Sequence, residues 1–267
     1  MSVSARPSDS WSSGEGYESF VGRLSRQVAP QFLAWLGVPP GTRWLDVGSG
    51  TGALTDAVLA CCAPERVVGV EPSDAFRAYA EERVPDPRAS FLPGDAGALP
   101  VDDGAFDAVA AALVLNFVPD QAAALAEMCR AARPGGTVAA YVWDYGGGMP
   151  MLTTVWDAVV VLDPAAAALH EAGRFPGSEP DALRALFAAA GLRAVELRDV
   201  VVPVGFASFE DYWAPFLAGT GPAPAYIVTL DGTDRSALRD AVQDRLPIED
   251  DGSIHLIARA WAVRGTV

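Results

Sequence analysis

Nine consecutive residues limit the fold more than any others: Trp44-Leu45-Asp46-Val47-Gly48-Ser49-Gly50-Thr51-Gly52. An apolar run enters a turn with glycine at every second position, and a helical segment, Ala53 to Ala60, follows at once. Glycine lets the backbone take positive φ and lets a ligand approach without a Cβ in the way. The helix aims its free N–H groups and the positive end of its dipole into the turn. Residues 44–60 therefore read as an anion-tolerant cradle at the carboxyl end of a strand, where open α/β sheets bind their ligands.

The flanking chain alternates between two periodicities. Nearly continuous apolar runs at 43–48, 66–71, 89–94, 106–115 and 137–145 have the pattern of strands buried on both faces. Helical spacing at 53–62, 74–83 and 120–133 lies between them. The alternation predicts an α/β, doubly wound, Rossmann-like sheet. An amphipathic helix is expected over 19–36, closed by Gly37 and Pro39-Pro40. After Tyr145 the pattern changes. Gly146-Gly147-Gly148 reads as a flexible joint, followed by a helix over 151–162. Ser178, with Asp181 three residues on, reads as the N-cap of a helix over 182–190. A strand is expected over 193–204, an aromatic-rich helix over 209–217, a Gly/Pro loop over 219–225, a helix over 233–246 and a last strand over 253–263. The expected organisation is a flexible tail over 1–16 and one domain over 17–267. Within that domain, 17–145 forms the cofactor-binding half, 146–250 the acceptor-side insertions and sixth strand, and 251–267 the last strand.

Composition narrows the partners. The chain has 267 residues, 51% of them apolar, enough for a full core, yet no run approaches the ~20 apolar residues of a membrane span. Its net charge is −15 and it contains no lysine, which argues against nucleic acid as a partner. Cys61, Cys62 and Cys129 lack metal-ligand spacing and read as buried, reduced thiols; no metal is expected. The Ser/Gly-rich start lacks the basic-then-apolar pattern of a signal peptide, so a cytoplasmic location is expected.

Two acids follow the glycine turn at the ends of the next two strands. Glu71 ends the second and can accept both hydroxyls of a ribose. Asp95 ends the third and can accept the exocyclic amine of an adenine. Gly48-x-Gly50-x-x-Ala53 with Glu71 also satisfies the nicotinamide-dinucleotide fingerprint. Three features favour a different nucleoside ligand: Asp46 inside the first strand, Asp95 as a third anchor, and Pro134-Gly135-Gly136 before the fifth strand.

As a set, these motifs resemble the class I S-adenosylmethionine-dependent methyltransferases, nearest the small-molecule branch that includes quinone-biosynthesis C-methyltransferases. The resemblance covers about residues 17–145. It implies a seven-stranded sheet with the last strand antiparallel between the fifth and sixth, and S-adenosyl-L-methionine as cofactor. It places Asp46 behind the turn and Gly48, Ser49, Gly50 and Gly52 along the amino-acid part. Glu71 takes the ribose hydroxyls, Pro72 lies against the adenine, and Asp95 with the Ala96 N–H reads its edge. Ala112 and Leu113 lie beneath the methionine arm, and Tyr17 and Arg23 sit on an N-terminal lid helix. One departure stands out. Where relatives often carry a His pair after the fourth strand, this chain has Asn116-Phe117, and Asn116 cannot act as a base.

The acceptor, a small molecule, is expected to meet the aromatic-rich chain after the fifth strand, with Trp143, Tyr145 and Trp213 as candidate contacts. Methyl transfer from a sulfonium needs chiefly proximity and alignment. Should the acceptor have to lose a proton early, His170 and Asp144 are the candidate bases. A cofactor-binding protein of the same fold without methylating activity, and a nicotinamide-dependent oxidoreductase, are the competing readings.

Overall fold

The computed structural model describes residues 23–219 and 221–267, with only the backbone of Arg23. Helix α1 (Arg23–Leu36) precedes strand β1 (Arg43–Val47) and α2 (Ala53–Cys61). Then come β2 (Arg66–Val70), α3 (Asp74–Arg83), β3 (Ala89–Leu92), β4 (Phe106–Ala112), α4 (Gln121–Ala131) and β5 (Ala132–Trp143). After it follow α5 (Pro150–Leu162), α6 (Glu171–Arg174), α7 (Pro180–Ala189), β6 (Arg193–Phe206), α8 (Phe209–Trp213), α9 (Pro222–Ile227), α10 (Gly232–Gln243) and β7 (Ile254–Thr266).

The strands form one seven-stranded sheet in the order β3-β2-β1-β4-β5-β7-β6. Strands β1 to β5 pair in parallel, and β7 runs antiparallel to β5, from Trp143 opposite Ala260 to Thr137 opposite Thr266. The apolar runs explain the centre. Trp44, Leu45, Val47, Val67, Val70, Val109 and Ala111 are almost wholly buried, as parallel strands covered on both faces require. Strand β6 is an edge. From Val201 to Phe206 its residues alternate exposed and buried, and Pro203, which has no N–H to donate, takes an exposed position. β1 and β4 are neighbours, but the chain runs from β1 outward through β2 to β3 before returning to β4. That reversal opens a ligand crevice at the carboxyl ends of β1 and β4.

The chain divides into two compact units. One holds Arg23–Trp143, Gly177–Val200 and Ala260–Val267; the other includes Asp144–Pro176 and Val201–Arg259. The first carries strands β1 to β5 and a continuous core that includes Leu45, Val109, Leu125, Met128 and Phe187. The second is built on aromatic side chains. Tyr212, Phe216 and Trp156 are fully buried, and the Tyr212 hydroxyl donates to the Met151 carbonyl at 2.8 Å.

Several local expectations are corrected. Pro134-Gly135-Gly136 lies within β5 rather than before it. Ala132 pairs with Phe106 and Thr137 with Ala108, so the extra residues form a bulge. Val267 holds that bulge: the Gly135 N–H donates to the Val267 carbonyl at 2.9 Å, and the Val267 N–H to the Gly136 carbonyl at 3.1 Å. Residues 222–227 are helical because Pro222 opens the helix, where a missing N–H costs nothing. Ser178 is not the N-cap of α7. Glu179 takes that place without a side-chain bond, and Ser178 is buried in the preceding turn. The Gly146–Gly148 joint is pinned: the Gly148 N–H donates to the Asp144 carbonyl, and the Arg259 N–H to the Gly148 carbonyl at 2.7 Å. The cysteines are free, but Cys61 is exposed and Cys62 and Cys129 are half-buried. Among the described residues no helix is long and apolar enough to cross a membrane.

Packing at the second strand generates a test. A Cβ on Gly69 would stand 2.6 Å from Phe91 Cδ1 and 2.8 Å from Ser49 Oγ. Gly69→Ala should destabilise the fold by roughly 1–3 kcal/mol, the usual cost of overpacking, and Phe91→Leu in the same chain should recover part of the loss. Urea denaturation of the three variants reads both effects; an unchanged midpoint for Gly69→Ala would show that the ring moves freely.

Candidate functional site

The turn after β1 is held from below. The Val70 carbonyl accepts the Gly48 N–H at 2.8 Å and the Ser49 N–H at 3.1 Å, which ties the turn to the end of β2. Gly48 has φ +70°, and a Cβ there would stand 2.5 Å from Val114 Cγ2, so the turn packs directly on the segment that follows β4. Gly50 has φ +50°, and a Cβ there would meet nothing within 4 Å among the described residues. Gly52 caps α2, and its carbonyl accepts the Asp56 N–H at 2.9 Å.

Asp46, on β1, lies buried behind this turn. Its Oδ2 accepts both the Thr55 hydroxyl at 2.7 Å and the Thr55 N–H at 3.1 Å. Strand and helix are thereby bonded across the turn. Its Oδ1 is buried and, among the described residues, has no hydrogen-bond partner; the same holds for Ser49 Oγ. Burial pushes the Asp46 carboxyl up to about 7. The Thr55 bonds pull it back only in part, and the negative charge of Glu71 adds to the rise.

Glu71, one residue past β2, is also buried. Its Oε2 accepts the Gly50 N–H at 3.1 Å and its Oε1 the Ser73 N–H at 2.9 Å. A carboxylate oxygen can accept more than one hydrogen bond, so each can take a further donor. Ser73 caps α3 through the Phe76 N–H, and Arg77 donates to the Glu71 carbonyl at 2.8 Å, so the loop that carries Glu71 and the exposed Pro72 is fixed. Asp95 is exposed beyond β3. Its Oδ1 accepts the Gly97 N–H at 2.8 Å, and Ala96 beside it is half-buried.

Ala112 ends β4, and Leu113 follows with φ +59° and its N–H bonded to the Tyr141 carbonyl at 2.8 Å. A short 3-10 turn, Leu115–Phe117, comes next. Asp46, the glycines, Ser49, Glu71, Pro72, Asp95, Ala96, Ala112 and Leu113 thus all lie within the unit that carries β1 to β5, at or beyond the carboxyl ends of its strands, except Asp46, which sits one residue inside β1. Tyr17 falls outside the described residues, and Arg23 opens α1 with its side chain undescribed.

The structure gives the two candidate bases other work. Asp144 is buried, with Oδ2 receiving Arg259 Nε at 2.7 Å and Nη2 at 2.6 Å, and Oδ1 receiving the Gly146 N–H at 3.1 Å. It clasps the glycine joint, and a Cβ on Gly148 would stand 2.7 Å from its Oδ2. His170 caps α6: Nδ1 accepts the Ala172 N–H at 3.1 Å, and Nε2 faces Asp157 Oδ1 at 3.5 Å. The lone pair that a base would use is already engaged. Of the acceptor candidates, Trp143 is buried at the end of β5. Tyr145 packs on Phe175, with ring centres 5.1 Å apart, and Trp213 stacks between Phe209 and Phe216.

Sequence reasoning missed Thr55, the partner of Asp46, and Arg259, the partner of Asp144. Thr55 had a signal: a hydroxyl in the first turn of the helix that follows a strand-borne acid. Arg259 had none, because it lies far along the chain on β7.

Residues 45–140 match the family described as a methyltransferase domain. The demethylmenaquinone methyltransferase of Roseiflexus castenholzii is 41% identical over 105 residues, which is 39% of this chain and 44% of that protein. That of Roseiflexus sp. RS-1 is 36% identical over 128 residues, 46% of this chain and 54% of that protein. The chain spans about half the length of the curated relatives it matches. Among solved structures, phosphoethanolamine N-methyltransferase 2 of Haemonchus contortus, held with S-adenosylhomocysteine and phosphomonomethylethanolamine, superposes with a TM-score of 0.58 at 16% identity. The match covers 95% of this chain and 56% of that one. The cyclase SpnF superposes with a TM-score of 0.55 at 21% identity, over 91% and 81%. Residues 45–140 are thus similar to a methyltransferase domain, and the seven-stranded sheet has the fold of the class I methyltransferases.

The buried acid sets a pH dependence. Folded, Asp46 keeps its proton up to about pH 7. Unfolded, it loses it near 4. Between those values the folded state binds more protons, so this group's contribution to stability is complete below about 4 and is lost as pH rises through about 7. Asp46→Asn can keep a carbonyl acceptor for Thr55 and lacks the titration. Urea unfolding of both proteins from pH 5.5 to 8 should show the parent losing stability relative to the variant as pH rises. Parallel curves would place the Asp46 titration elsewhere.

Proposed function

We propose that this chain transfers a methyl group from S-adenosylmethionine to a small aromatic or hydrophobic acceptor. The observation that carries the reading is the pair of buried oxygens without partners among the described residues, Asp46 Oδ1 and Ser49 Oγ, at the glycine turn of a segment similar to a methyltransferase domain. Leaving such atoms unsatisfied costs about 1–3 kcal/mol each, which a ligand with polar hydrogens can recover. The residues fit the cofactor in three ways. Asp46 is buried with its carboxyl raised to about 7, so a cationic amino group brought to it by a ligand would favour loss of its proton to solvent and gain a charge partner. Glu71 holds the turn with one lone pair of each oxygen and keeps the others for two ribose hydroxyls. Gly50 leaves the space above the turn open. Pro72, Asp95 and Ala96 then take the adenine, and Ala112 and Leu113 the methionine arm.

When bound, the cofactor supplies a methyl group already activated by its sulfonium, so the protein's task is alignment and exclusion of water. The match to demethylmenaquinone methyltransferases supports a quinone-like ring as one acceptor class. The likeness to a cyclase of the same fold keeps a second reading open, in which the cofactor is bound and no methyl moves.

Calorimetric titration with S-adenosylhomocysteine and with NADP tests the cofactor; binding of NADP alone would overturn the proposal. Labelled methyl donor offered with a panel of phenols, naphthoquinols and polyketide-like enols tests transfer. Glu71→Ala should weaken S-adenosylhomocysteine binding roughly 10- to 150-fold, since charge-assisted bonds contribute about 1.5–3 kcal/mol. Glu71→Gln, which keeps one acceptor oxygen, should fall between. Unchanged dissociation constants in folded variants would remove Glu71 from the site.

A further inference from the structure

The side-chain amide nitrogen of Asn116, beyond the tip of β4, has no hydrogen-bond partner among the described residues. Leu115–Phe117 forms a 3-10 turn fastened on three sides. The Phe117 N–H donates to the Val114 carbonyl at 2.9 Å, the Val118 N–H to the Leu115 carbonyl at 3.3 Å, and Gln121 Nε2 to the same Leu115 carbonyl at 2.8 Å. Val114, two residues before Asn116, packs on Gly48 of the glycine turn. Asn116 sits in the middle of this fixed turn. Its Nδ2 is shielded from solvent and has no acceptor among the described residues. A shielded amide donor without a partner is costly, and neither the turn nor its neighbours use it.

Its place in the sheet says what would use it. In the order β3-β2-β1-β4, Glu71 and Asp95 follow β2 and β3, on one side of the glycine turn, and Asn116 follows β4 on the other. A nucleoside held by Glu71 and Asp95 would lie over the ends of β2 and β3, with Asn116 across the glycine turn on the β4 side. An amide N–H offers a hydrogen bond to an oxygen and takes no proton at neutral pH.

We propose that Asn116 is a positioning residue for the acceptor: its side-chain amide donates to a carbonyl, enol or phenol oxygen next to the atom that is methylated, and so selects oxygenated rings. This rests on the methyltransferase reading above. The bond orients the acceptor and stabilises negative charge on that oxygen once the acceptor's proton has left to solvent.

The test uses the full chain loaded with S-adenosylhomocysteine and two probes of one frame, 1-tetralone and tetralin, which differ by a single carbonyl oxygen. The parent protein should bind the ketone about 3- to 10-fold more tightly than the hydrocarbon, the range of one neutral hydrogen bond. Asn116→Ala should erase the preference, and Asn116→Asp, which presents only acceptors, should reverse it. Tetralin affinity should stay constant in all three proteins, which a merely structural role for Asn116 would not produce. No preference in the parent, or a preference that survives in Asn116→Ala, overturns the proposal. A loss of S-adenosylhomocysteine affinity in the Asn116 variants reassigns the donor to the cofactor and overturns it as well. Failure of the parent to bind S-adenosylhomocysteine at all is a separate result, which removes the methyltransferase reading itself.

Discussion

The structure depends on a carboxylate buried where two elements meet. Asp46 leaves β1 and takes both the N–H and the hydroxyl of Thr55, so the strand and the helix after it are bonded across the glycine turn. Glu71 does the same from the neighbouring strand by accepting the Gly50 N–H. With the two backbone bonds to the Val70 carbonyl, these contacts hold a turn whose glycines would otherwise sample many conformations. Hydrogen bonds to charged groups contribute about 1.5–3 kcal/mol each, but desolvation opposes them. The raised Asp46 carboxyl records that opposition: the fold buries an acid where burial disfavours its charge. A cationic ligand brought beside Asp46 would oppose that rise and favour its charged form.

The parts of the fold that rest on local pattern were legible in the sequence. Strands β1, β2 and β4 are covered on both faces and so show as nearly continuous apolar runs. Glycine at 48, 50 and 52 marked the turn because a side chain at 48 has no room and the backbone at all three takes positive φ. What the sequence hid depends on distant partners. The Pro134-Gly135-Gly136 bulge belongs to β5 only because Val267 comes back to bond it. Ser178 has the residue type of a cap, yet it is buried in the turn before α7, and Pro180 opens the helix after an uncapped Glu179. Gly146–Gly148 looked free because Arg259, which pins it, lies more than a hundred residues along the chain.

The same distinction separates the two halves of the candidate site. The residues proposed for the cofactor sit on consecutive strand ends, so their spacing along the chain reports their spacing in the crevice. The candidate bases rest on chemical type alone, and a carboxylate or an imidazole can equally close a loop or cap a helix. Asp144 closes one with Arg259, and His170 caps a helix with the nitrogen that a base would need.

The chemistry follows from what is left. Displacement at a sulfonium methyl needs the attacking atom in line with the breaking bond, and effective molarity, not proton transfer, supplies most of the acceleration for an acceptor that ionises readily. A neutral donor at the tip of β4 suits that demand. It fixes one oxygen of the acceptor, which sets the direction of the neighbouring lone pair, and it lowers the cost of the charge left when a proton goes to water. A histidine at the same position would gain general-base power but would hold the oxygen less specifically, because its donor and acceptor roles change near neutral pH. In the role proposed for it, Asn116 exchanges the proton-accepting function for a fixed polarity, and selection of acceptors that already carry an acidic oxygen would be the consequence.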